Sequence, residues 1–115
     1  MAENVVARLL SELPPDVRRH AEEVGVSFED EVPRDLLDEG IAPDTLGLFS
    51  GPSLRDPDSE WSDEAPLVTL FLGPLRDYSG SNPATFKEEV RRTFLHELGH
   101  YLGLQESDMP SRDLD

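Results

Sequence analysis

The chain's 115 residues suffice for one domain with one modest core, and an apolar content of 37% keeps that core small. With 25 acidic against 10 basic side chains the net charge is −15, which repels phosphate and argues against nucleic acid as a partner. There is no cysteine, so disulfides and thiolate metal ligands are excluded, and no apolar run reaches the length of a membrane span. The first ten residues lack the cationic start and apolar stretch of a secretory leader, so a cytoplasmic location and no membrane partner are expected.

The elements follow in chain order. Val5, Val6, Leu9, Leu10 and Leu13 recur at helical spacing, which predicts a first helix over 3–13, stopped by Pro14-Pro15. Pro15 opens a second short helix over 16–23. Val24, Val26 and Phe28 alternate with small or polar residues and read as a strand. A short helix is expected over 33–38, ended by Gly40, and a second strand over 46–49. Residues 51–65 are rich in Gly, Pro, Ser and Asp and read as a loop or flap. The run LVTLFL over 67–72 is the strongest strand, readable either as a sheet edge or as a buried central strand. Residues 76–81 read as a polar connection that carries Tyr78.

Asn82 and Pro83 then supply an N-cap and a first helical residue. Phe86, Val90, Phe94 and Leu98 make one apolar stripe, with Leu95 and Leu102 beside it. The main helix is expected over 83–102, with Gly103 as its left-handed terminator. The whole is an α+β fold, a single domain over 1–115, in which a short mixed sheet packs on this helix.

The helix carries the chemistry. His96 and His100 stand four residues apart, on one face, about 5–6 Å between Cβ atoms. That gap suits two imidazoles converging on one zinc ion. Glu97, on the adjacent edge of the same turn, can take a proton from water as general base. Gly103 and Glu106 extend the motif to HExxHxxGxxE, in which the glycine turns the chain back and Glu106 becomes the third ligand. Asp108 is the alternative third ligand. Binding by both would close the metal sphere and make the zinc structural. Tyr78 is the candidate oxyanion stabiliser. Tyr101 reads as a packing or rim residue, His20 as solvated, and Met109 as a core or surface residue. Gly99, costly within a helix, suggests close approach of another backbone.

The segment HELGHYLGLQESD, preceded by EEVRRTF, resembles the small bacterial zincin-like proteins, metallopeptidases with a minimal matrix-metalloprotease-like fold. SELPPDVR, VSFEDEVP, DTLGLFSG and the strand ending in GPL extend the likeness over most of the chain. The resemblance implies a compact domain with a short sheet and an active-site helix. It implies Zn2+ at His96 and His100, Glu97 as base and an acidic ligand just after Gly103. Glu106 stands where the larger metzincins have a third histidine. The expected function is a zinc metallopeptidase acting on peptides or unfolded protein as a monomer. The alternative is a non-catalytic zincin-like module that binds a protein partner.

Overall fold

The computed structural model describes residues 1–53, 65–80 and 82–102. Among the described residues, three strands and five helices follow one another as α1 (Ala2–Glu12), α2 (Pro15–Ala21), β1 (Gly25–Glu29), α3 (Arg34–Asp38), β2 (Gly47–Ser50), β3 (Leu67–Phe71), α4 (Leu72–Tyr78) and α5 (Pro83–Tyr101). Most boundaries fall within a residue or two of those predicted from periodicity, the usual uncertainty of helix and strand ends. No described helix is long and apolar enough to cross a membrane.

The sheet is mixed, in the order β1-β3-β2. β1 runs parallel to β3, with Gly25 opposite Leu67 and Glu29 opposite Phe71. β2 runs antiparallel to β3, with Gly47 opposite Leu70 and Ser50 opposite Leu67. The LVTLF segment is therefore the central strand, which resolves the two readings its apolar run allowed. Its two neighbours take the backbone groups on both sides, and Val68, Leu70 and Phe71 are fully buried. Among the described residues, β2 forms one edge of the sheet.

α5 lies against β2 and β3, and α1 lies against α5. Val6 and Leu9 of α1, Val68 and Leu70 of β3, Leu75 of α4, and Phe86, Val90, Phe94, Leu98 and Tyr101 of α5 form one continuous core. The stripe predicted on the main helix is thus its buried face, extended by one turn to Tyr101.

One element departs from expectation. Leu72 does not extend the strand, and the polar connection expected over 76–81 is helical through Tyr78. The chain enters α4 directly from β3. Pro74 stands in the first turn of α4, where its missing N–H would have no intrahelical acceptor. Gly-Pro therefore reads as a break but serves as a helix start. Gly73 is needed for a second reason. Its N–H donates to the carbonyl of Asp30 at 2.8 Å, and a Cβ at this position would stand 2.5 Å from that same oxygen.

Gly47 makes the contact that seats α5 on the sheet. A Cβ there would stand 2.6 Å from Cγ2 of Thr93 and 3.3 Å from both Cδ2 of Leu70 and the carbonyl oxygen of Thr69. Gly47→Ala is expected to destabilise the domain by about 1–3 kcal/mol through overpacking. Adding Thr93→Ser removes the methyl in the way. In urea unfolding the double variant should be more stable than Gly47→Ala alone; equal midpoints would show that Thr93 does not set this distance.

Candidate metal centre

α5 begins as its sequence dictates. The side chain of Asn82 accepts a hydrogen bond from the Thr85 N–H at 3.0 Å, and Pro83 occupies the first turn. From this fixed start the 3.6-residue repeat assigns every later side chain to a face. Val90, Phe94 and Leu98 turn into the core. His96 and His100 stand beside that stripe, His96 half-buried and His100 exposed.

The two imidazoles and Glu97 converge. One ligand atom from each of His96, Glu97 and His100 lies within 4.8 Å of the others. The rings of His96 and His100 are 5.0 Å apart between centroids and stand nearly perpendicular, at 86°. Nε2 of His100 lies 4.0 Å from Oε1 of Glu97. The Glu97 side chain is only 14% exposed and that of His100 42%, so the group opens to solvent on the histidine side.

This donor set fits zinc. Two nitrogens held at about 2.0–2.1 Å from a tetrahedral ion stand about 3.3–3.4 Å apart, which small side-chain rotations reach from the spacing observed. Borderline nitrogen donors with one carboxylate nearby are the chemistry that zinc accepts. The proposed third ligand Glu106, its alternative Asp108, the terminator Gly103 and Met109 all lie outside the described residues. Gly99 is buried.

Tyr78 is not part of this group. It is the last residue of α4, 65% exposed, and lines a surface depression with Ala84, Thr85, Glu88, Glu89 and Arg92. Those α5 residues precede His96 by one to three turns, roughly 6–18 Å along the axis. Its phenol belongs to the surface beside the start of the helix, because the chain around it is helical rather than a loop that could reach forward.

Tyr101, directly after His100, has a structural role, in keeping with its reading as a packing residue. Its hydroxyl donates to Oε1 of Glu23 at 2.8 Å, and its ring packs at 6.0 Å from that of Phe49. His20 is largely exposed, and its Nδ1 lies 3.4 Å from the same Glu23 oxygen. The Tyr101–Glu23 bond ties the last turn of α5 to the segment between α2 and β1.

Sequence reasoning passed over a second pair. The Glu89 side chain is only 5% exposed, and both its oxygens accept from Nη1 of Arg92, at 2.9 and 3.1 Å. A carboxylate so buried needs such a partner. The signal was available as an acid–base pair at i, i+3 on the predicted helix. Nothing in the pattern said that this pair, among so many charges, is covered.

Burial and the Glu23 carboxylate push the Tyr101 phenol up from its ordinary 10 to about 12. The same hydrogen bond, helped by His20, holds Glu23 below the usual carboxylate range. The stability contributed by the Tyr101 proton is complete below pH 10. It is lost as pH climbs from about 10 to about 12, where the unfolded chain ionises first. Alkaline titration followed by phenolate absorbance should show a step near pH 12 in the folded protein that Tyr101→Phe removes. A Tyr101→Phe titration identical to that of the parent would contradict the assignment.

Comparison with known proteins agrees with this geometry. A search of curated proteins found no match. The family model described as zincin-like metallopeptidase matches residues 21–114, a stretch that begins at the end of α2 and takes in the whole sheet and all of α5. With its two histidines and glutamate gathered on the helix that this match includes, the chain belongs to the zincin-like metallopeptidase family.

Proposed function

We propose that the protein is a zinc-dependent peptidase that hydrolyses peptide bonds in peptides or unfolded segments. The observation that carries this reading is the convergence of His96, Glu97 and His100 within 4.8 Å on the last two turns of α5. Membership of the zincin-like family supports it.

In this reading His96 and His100 hold the ion through neutral ring nitrogens, with Glu106 (or Asp108 in its place) as the third ligand. Zinc, when bound, supplies Lewis acidity that brings the pKa of water down to about 7 and polarises a carbonyl. Glu97 accepts the proton from the attacking water at a carboxylate oxygen. As the water oxygen bonds to the carbonyl carbon and the C–N bond breaks, Glu97 returns that proton to the leaving amine. The second proton of the water leaves the new carboxyl group for the amine, so one water is consumed and one carboxylate and one ammonium are formed. An extended substrate finds backbone donors and acceptors on β2, the sheet edge that packs on α5.

One observation favours a second reading. Glu97 lies within the same 4.8 Å group as the histidines, so its carboxylate could itself be a ligand. A site closed by Glu97 together with an acidic residue after Gly103 would make the zinc structural, and the protein a non-catalytic module for a protein partner.

Substitution of Glu97 separates the two. Glu97→Gln should retain zinc, measured by metal analysis after dialysis, and lower peptide cleavage at least about 100-fold, the usual share of a general base. His96→Ala and His100→Ala should each lose zinc and cleavage together. Loss of zinc from Glu97→Gln would favour the structural reading, and cleavage undiminished in Glu97→Gln would refute the mechanism.

A further inference from the structure

We propose that the groove between α1 and α5 is a docking surface for an acidic peptide segment of a partner protein. The groove encloses about 530 Å³ and is lined by Met1, Asn4, Val5 and Arg8 on one side and by Ala84, Lys87, Glu88 and Arg91 on the other. Three of the chain's ten cations meet here, including its single lysine, on a molecule that carries 25 carboxylates.

Their ion pairing makes the concentration effective. Neither the Arg8 guanidinium nor the Lys87 ammonium has an ion-pair partner among the described residues. Arg91 is bound to Glu12 at 3.0 Å. Glu88, the carboxylate that lines the groove, is drawn toward Arg92 at 3.9 Å. The patch is therefore a local positive region within a negative surface. Fields from the surrounding carboxylates fade over a Debye length of about 8 Å at physiological salt, so a ligand confined to the groove responds to the groove.

The shape selects the kind of anion. Lys87 and Arg91 stand one helical turn apart on one wall, and Arg8 stands on the other. Glu88 lines the same groove and would lie beside a compact dianion there. Val5, half-buried, adds apolar surface beside Arg8 on one wall, and the exposed Ala84 does so on the other. Spaced carboxylates with an apolar side chain between them match this arrangement. Long polyanions and anionic bilayers would extend past the patch onto the acidic surface, which opposes them. Lys87 and Arg91 lie about 180° and 140° around α5 from His96, so the groove faces away from the metal centre and operates independently of it.

The test is fluorescence anisotropy with a dye-labelled peptide that repeats Glu-Glu-Leu, using the whole chain. The acidic peptide should bind, weaken with added salt, and bind more tightly than peptides repeating Lys-Lys-Leu or Gln-Gln-Leu. Arg8→Glu with Lys87→Glu should weaken binding about tenfold or more. Arg19→Glu with Arg34→Glu, two exposed sites outside the groove with the same change in net charge, should leave it within about twofold. Zinc content should stay the same in both variants, and circular dichroism checks that each folds. Absence of binding at low salt, equal loss in both double variants, or tighter binding of a DNA duplex or phosphatidylserine vesicles that depends on Arg8 and Lys87 would each overturn the proposal.

Discussion

One helix has to satisfy two incompatible solvents. The inner side of α5 is packed among Val68, Leu70, Leu75 and Leu9, where any uncompensated polar atom is costly. Its neighbouring edge has to keep two imidazoles wet and mobile enough to take an ion. The 3.6-residue repeat reconciles the two: Val90, Phe94 and Leu98 descend one line while His96 and His100 descend the next. The rest of the fold follows from keeping α5 in this attitude. β3 and β2 cover its inner face, α1 covers its flank, and α4 closes over its start.

Charge is distributed with the same economy. Four of the ten cations stand on α1 and α5. Arg92 neutralises the buried Glu89, Arg91 reaches Glu12 on α1, and Arg8 and Lys87 are left without partners among the described residues. Solvent-exposed pairs such as Arg91 with Glu12 add little to stability. The Glu89–Arg92 pair is different, because removing the arginine would strand a carboxylate inside the protein.

Much of this was legible in the sequence because it rests on local rules. The cap at Asn82, the proline after it, the apolar stripe and the four-residue spacing of the histidines all act within one helix, and each appears where periodicity placed it. What was not legible depends on partners distant in the chain. The apolar run of β3 looks the same at an edge as in the middle, and only pairing with both β1 and β2 decides. α4 was hidden because Gly73-Pro74 is a turn signal unless the first turn can use both residues, which the carbonyl of Asp30 permits. Tyr78 was credited with a loop's reach and proved to end a helix. The role of Tyr101 required Glu23, which lies 78 positions earlier.

The last of these contacts has a mechanical consequence when taken with the notch at Gly47. α5 is pinned at two heights: midway, where Thr93 fits against β2, and at its final turn, where a phenol grips a carboxylate. A rod held at two points along its length can neither slide like a piston nor swivel about its axis. Reorientation of the two imidazoles between these pins is then left to rotation of their own side chains, which takes picoseconds to nanoseconds at exposed positions.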